Sequence, residues 1–197
     1  MSDAGAPVAI GWAASATRWI VRADPHAAAT VGMALGVLLG TAPCRSVIAR
    51  DRVALWLGPD EWLVLAPEGE GVPARLAAVP ASVVDVSHGF VGIDVAGPRA
   101  AWCINAFNPL DLDLPAFPAG ACTRTVFGKV PIVLWRTDAD AFRIEVARSL
   151  AAYVWQCLVE AARELIQRAA MQMHSAQESG SARKAAKGGS GAMAARG

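Results

Sequence analysis

Three residue types that together can cleave an ester or amide sit side by side in Asp85-Val86-Ser87-His88-Gly89. A serine nucleophile needs a histidine base within hydrogen-bond reach and a carboxylate behind that histidine. In an extended strand, neighbouring side chains point to opposite faces. Ser87 and His88 then diverge, while Asp85 and Ser87 share a face. The segment reads as a polar strand end whose side chains satisfy nearby backbone groups. No Gly-x-Ser-x-Gly elbow is present to raise a serine on a strand-to-helix turn.

The other reactive residues are scattered. His26 and His174 have no His, Cys or paired carboxylate at ligand spacing. Cys44, Cys103, Cys122 and Cys157 form no CxxC unit, and four free thiols in a reducing cytoplasm are the simplest expectation. Gly128-Lys129 lacks the upstream glycine and following Ser or Thr of a phosphate loop, and no GxGxxG follows a strand. Arg99, after Gly97-Pro98, is a weak anion contact at a helix start. The expectation is that no residue of this chain is catalytic, cofactor-binding or metal-binding.

The segments that would position these residues alternate strand and helix. Thr17 to Arg22 reads as a strand, with Asp24-Pro25 opening a helix. Ala27 to Cys44 is uncharged and spaces Gly32, Gly36 and Gly40 four apart. Its Ala/Gly content and Pro43 favour a soluble helix packed closely on a sheet over a membrane span. Ser46 to Pro67 reads as a hairpin with arms Val53–Leu57 and Trp62–Leu65, and a short helix follows at Ala74 to Val79. Ser82 to Ser87 adds a strand. The order then repeats. Val91 to Val95 is a strand, Gly97-Pro98 opens a helix, and Thr123 to Arg148 is a hairpin. Ser149 would cap a final helix striped by Val154, Leu158, Ala161 and Leu165. Asn108 to Gly120 is an irregular connector with three prolines.

Offsets support a duplication: Pro98 follows Pro25 by 73, Trp135 follows Trp56 by 79 and Phe142 follows Trp62 by 80. The fold class expected is α+β, with duplicated ferredoxin-like βαββ halves at about 16–80 and 82–168. Residues 1–15 are expected to be a flexible N-terminus, 16–170 the folded domain, and 171–197 a disordered, basic Ala/Gly/Ser tail. Both hairpins are apolar on both faces, so each needs cover twice. The second cover is either the other half or a partner.

Composition sharpens this. The chain is 54% hydrophobic and 18% charged, with seven Trp and a single Tyr. That is more apolar than the usual ~45–50% and less charged than the usual ~25%. Surplus apolar surface suits an interface. A net charge of +1 gives no field to recruit nucleic acid or an acidic membrane.

Leu57-Gly58-Pro59-Asp60-Glu61-Trp62-Leu63, Asp85 to Phe90, Val95-Ala96-Gly97-Pro98-Arg99-Ala100 and Asn108-Pro109-Leu110-Asp111-Leu112 resemble the sarcosine oxidase gamma-subunit family. So do Phe117 to Thr125 and Phe142 to Ser149; the resemblance covers about 16–164. That family is similar to the folate-binding domain of glycine-cleavage aminomethyltransferase, which implies the same duplicated architecture. The resemblance implies a non-catalytic structural subunit of a flavin-dependent complex. Such a complex demethylates sarcosine to glycine and yields hydrogen peroxide and methylenetetrahydrofolate. It implies alpha, beta and delta subunits as partners, with FAD, FMN, NAD and zinc on those chains and none on this one. It implies no nucleic acid, no membrane and a cytoplasmic location. Two alternatives stand beside it: the matching subunit of an N-methylglutamate dehydrogenase, and a free-standing folate-dependent transferase. The transferase would need a placed carboxylate for the pterin, for which Asp85, Asp94 and Asp111 are candidates.

Overall fold

The computed structural model describes residues 7–168 and 171. Two five-stranded antiparallel sheets make up the body. The first runs β3 (Ser46–Ala49), β4 (Arg52–Gly58), β5 (Glu61–Ala66), β2 (Thr17–Ala23), β6 (Ala81–Asp85). The second runs β8 (Cys122–Phe127), β9 (Val130–Asp138), β10 (Ala141–Ala147), β7 (Phe90–Ala96), β1 (Ala9–Trp12). The two orders are the same when read as halves β1–β5 and β6–β10, with one exchange. Each half places its opening strand on the other half's sheet: β1 pairs with β7, and β6 pairs with β2. The chain is therefore a duplicated α+β unit. Each hairpin carries one strand more than a βαββ unit, because β3 and β8 fold back onto β4 and β9.

Residues Ala9–Trp12, expected in a flexible N-terminus, are the edge strand β1. Ile10 pairs with Val95 and packs on the core, which fixes the strand. Residues 1–6 and 172–197 lie outside the described residues, so the expected tail is represented only by Met171, helical and exposed.

The two-faced hairpins find both covers within the chain. Trp62, Val64 and Ala66 of β5 point to one core with Trp19 and Val21, under the helix α1 (Ala28–Leu35). Leu63 and Leu65 point the other way and meet Leu55, Cys122, Val133 and Trp135 between the sheets. On the second sheet Ile132, Leu134, Phe142 and Ile144 pack outward against α2 (Ala100–Asn105) and the helix α3 over residues 151–168. Helix, sheet, sheet and helix thus stack in four layers around three cores. The second face is closed by the other half.

The glycine-spaced segment is not one long helix. Gly36, at φ 76°, ends α1 in the left-handed conformation, and Val37 donates back to Gly32 O at 3.1 Å. A Cβ on Gly32 would lie 2.8 Å from Val37 O, so this glycine lets the chain double back over the helix. Gly40 O then accepts from Trp62 Nε1 at 2.8 Å. No helix among the described residues is long and apolar enough to cross a membrane. Ser149 is not a cap; a 3-10 turn (Arg148–Leu150) leads into α3 with no side-chain capping bond.

Arg136 organises the proline-rich connector. It is 3% exposed, although it stands in the outward register of β9. Its guanidinium donates to Leu112 O, Phe117 O and Ala139 O at 2.6–3.1 Å and lies 4.6 Å from the centre of the Phe142 ring. Burial pulls its pKa below the ordinary arginine value.

Two charge clusters join the sheets. Arg18 of β2 donates through Nε to Glu145 Oε2 of β10 at 2.6 Å, and Arg143 donates to Glu145 Oε1, also at 2.6 Å. Glu145 is fully buried, and Gly92 opposite it leaves room for Arg143; a Cβ there would sit 3.0 Å from that guanidinium. Glu61 of β5 takes Arg124 of β8 and Arg22 of β2. Those arginines hold its carboxyl below the usual range, led by the Arg124 hydrogen bond and opposed by burial.

The first cluster generates a ranking. Glu145→Gln leaves the buried Arg18 without its counter-charge and removes the ion pair of the part-buried Arg143, and should cost about 3–5 kcal/mol in urea denaturation. Arg18→Met leaves Glu145 still paired with Arg143 and should cost less, about 1–3 kcal/mol. An equal or reversed order would contradict the shared-carboxylate account. The second cluster sets an acid limit. Glu61 has a folded pKa below its unfolded value of about 4.3, so its stabilisation is complete above that pH. It is lost as pH falls through the lower folded value. Glu61→Gln should lower neutral stability and flatten the acid limb of a melting-temperature-against-pH curve.

Candidate functional site

The exchange of opening strands sends the chain across between the sheets twice, at residues 13–16 and 86–89. The two crossings run beside each other. Ala13 donates its N–H to Gly92 O at 3.0 Å, and Val86 donates to Arg18 O at 2.9 Å. Around them opens a cleft of about 760 Å³. That is within the ~300–1,000 Å³ typical of ligand sites.

Asp85, Ser87 and His88 all line this cleft. They do not form a hydrolytic arrangement. Ser87 Oγ donates to Asp85 Oδ1 at 2.5 Å, and Ser87 N donates to the same oxygen at 2.8 Å. Ser87 Oγ also accepts the Arg18 backbone N–H at 2.9 Å. The hydroxyl is thus turned toward Asp85 and the β2 backbone, as the strand-end reading requires. His88 contributes its carbonyl, which accepts from Arg148 Nε at 2.9 Å. The two bonds from Ser87 keep the Asp85 carboxyl below the usual carboxylate range.

The remaining candidates are dispersed. Asp94 lies on β7 opposite Arg143, its pKa raised by desolvation and by Glu145 against the pull of Arg143. Asp111 is in the connector, where Oδ1 accepts from Asp113 N at 2.9 Å. Of the three carboxylates suited to a pterin, only Asp85 reaches the cleft. His26 is exposed at the first 3-10 turn, Arg99 precedes α2 with its N–H donated to Pro7 O, and His174 lies outside the described residues. Burial pushes the Cys103 thiol to about 11 and Cys122 to about 12, so neither is a thiolate at neutral pH. Among the described residues, no three His, Cys, Asp or Glu gather as a metal site requires.

Sequence reasoning missed Trp12, Arg18, Glu68 and Arg148, which also line the cleft. Arg18 carried a usable signal: a charge flanked by Thr17 and Trp19 near the start of a mostly apolar strand. The others become neighbours only through the strand exchange.

Comparison with known proteins agrees with this architecture. The family model described as sarcosine oxidase, gamma subunit family, matches residues 21–164. A sarcosine oxidase subunit gamma from an Arthrobacter species is 35% identical over 152 residues, 73% of each chain. One from Corynebacterium sp. strain P-1 is 32% identical over 158 residues, 77% of this chain and 78% of its own. A chain in the structure of heterotetrameric sarcosine oxidase from Corynebacterium sp. U-96, in complex with pyrrole 2-carboxylate, superposes with a TM-score of 0.74. It is 29% identical, and the match covers 82% of this chain and 87% of that one. Glycine-cleavage aminomethyltransferase T from Bartonella henselae shares the fold at a TM-score of 0.58 and 14% identity, over 78% of this chain and 46% of its own. With a family model matching residues 21–164, which take in strands of both sheets, and relatives above 30% identity over most of its length, this chain belongs to the sarcosine oxidase gamma-subunit family.

Proposed function

We propose that this chain is a structural, non-catalytic subunit of a cytoplasmic flavin-dependent complex that oxidatively demethylates sarcosine to glycine. Hydrogen peroxide and, with tetrahydrofolate, methylenetetrahydrofolate are its products. In this reading, alpha, beta and delta partners carry FAD, FMN, NAD and zinc. The observation that carries it is the fate of the one reactive cluster. Ser87 and Asp85 bond to each other and to the β2 backbone, so they brace the crossing between sheets. The serine hydroxyl is aimed away from any histidine base. Family membership supplies the assembly.

Two measurements test it. Co-expressed with its large flavin-binding partners, the chain should co-elute in a stoichiometric complex, with flavin absorbance remaining on the partners when the subunits are separated. Stoichiometric flavin on the isolated chain would sink the reading. Within the complex, Ser87→Ala should lower the melting temperature, because it strips the Arg18 N–H of its acceptor at a cost of about 1 kcal/mol. Turnover per assembled complex should stay within about twofold of the parent, since about 1 kcal/mol is not being supplied to the chemical step. A loss of a hundredfold or more with assembly intact would make Ser87 part of the chemistry.

A further inference from the structure

The cleft is built from equivalent positions of the two halves, and its walls have diverged to opposite charge. Ser15 and His88 correspond (88 − 15 = 73), as do Glu68 and Arg148 (148 − 68 = 80). Each crossing is tied to the segment that leaves the last hairpin strand of its sheet. Ser15 Oγ donates to Glu68 Oε1 at 2.7 Å after β5, and Arg148 Nε donates to His88 O at 2.9 Å after β10. These bonds fix both charged groups at the cleft. They leave Glu68 Oε2 and both Arg148 Nη groups without a hydrogen-bond partner among the described residues. Asp85, at the end of β6, adds a second carboxylate to the wall of Glu68.

The wall of Arg148 carries an aromatic surface instead. Trp12, the counterpart of Asp85 (85 − 12 = 73), is 55% exposed. One face of its indole is stacked on Trp155 of α3, with ring centres 4.5 Å apart and planes 8° from parallel. The stack holds the ring rigid, and its remaining surface lines the cleft. A rigid, half-exposed indole is an apolar platform for a ligand body. Arg18 is committed to Glu145 and to Ala16 O, so it closes the floor.

We propose that the cleft binds a small zwitterion with an apolar body. Such a ligand is an amino acid whose ammonium meets Glu68 and Asp85, whose carboxylate meets Arg148, and whose side chain lies on Trp12. Charge-assisted bonds at both ends set its orientation, and a ligand lacking the apolar body leaves the indole uncovered.

The test is calorimetric titration of the full-length chain with three probes of one shape. L-Phenylalanine carries both charges, L-phenylalaninamide only the ammonium, and 3-phenylpropionate only the carboxylate. Phenylalanine should bind about tenfold tighter than either single-charge probe, the gain of one charge-assisted contact. Arg148→Gln should bring phenylalanine to the level of its amide, and Glu68→Gln should bring it toward 3-phenylpropionate. Trp12→Ala should weaken all three. Glu68 and Arg148 are exposed, so unchanged melting of their variants confirms an intact fold. Equal affinity for the three probes, no saturable binding, or binding indifferent to both charge variants would overturn the proposal.

Discussion

Strands that are apolar on both faces leave a chain of this size few ways to stay out of water. A sheet covered by helices on one side exposes Leu55, Leu63, Val133 and Trp135 on the other, and each large buried side chain is worth roughly 1.5–3 kcal/mol when shielded. Duplication supplies the cover, because a second copy of the unit presents the same need. The contact between the two sheets is therefore the constraint to which the rest answers. The helices sit on the outer faces because the inner ones are taken. The cysteines most shielded from solvent, Cys103 and Cys122, are filler in the cores.

An interface between two sheets of one chain has to be crossed by that chain, and the crossings set the position of the polar groups. Buried charge is tolerated where it is paired or its donors are satisfied by hydrogen bonds, as Arg136 is by carbonyls. Arg18 and Arg143 share Glu145 beside the crossings, while Arg22 and Arg124 share Glu61 at the opposite end of β2. The Asp85–Ser87 turn sits at the same junction and serves it. A catalytic-looking motif and a structural brace use the same residue types because both need a fixed hydroxyl beside a carboxylate. Geometry separates them. Here the hydroxyl faces a backbone N–H, and the imidazole carries none of the bonding.

Much of this was legible in the residues. Periodicity located seven of the ten strands or their cores, missing β1, β3 and β8, the near-constant offsets revealed the duplication, and alternation within Asp85 to His88 set which side chains would meet. Two features were not legible, for a common reason. Nothing local marks Ala9–Trp12 as a strand, since four residues with a single β-branched member acquire structure only from the β7 ladder they join. The cleft inherits that difficulty, because Trp12, Glu68 and Arg148 are brought together by the exchange and by no pattern of their own. The glycines of residues 32–40 misled in another way. Equal spacing suggested a packed helix, yet Gly36 stands at positive φ, where it ends the helix. Arg136 shows the same limit: its strand register is readable, but its carbonyl partners come from a connector without periodicity.

The exchanged edge strands also bear on how the molecule comes apart. Many proteins open in separate cooperative units, the least stable first. Here neither sheet owns all of its strands. Detaching the first half pulls β1 from the second sheet, and detaching the second pulls β6 from the first. The main-chain bonds at the far edge, Cys122 N to Cys44 O and Ser46 N to Gly120 O, close the ring of dependence. The two halves thus behave as one cooperative unit, clasped at both ends, and a protease or a pulling force meets a single barrier where the gene suggests two.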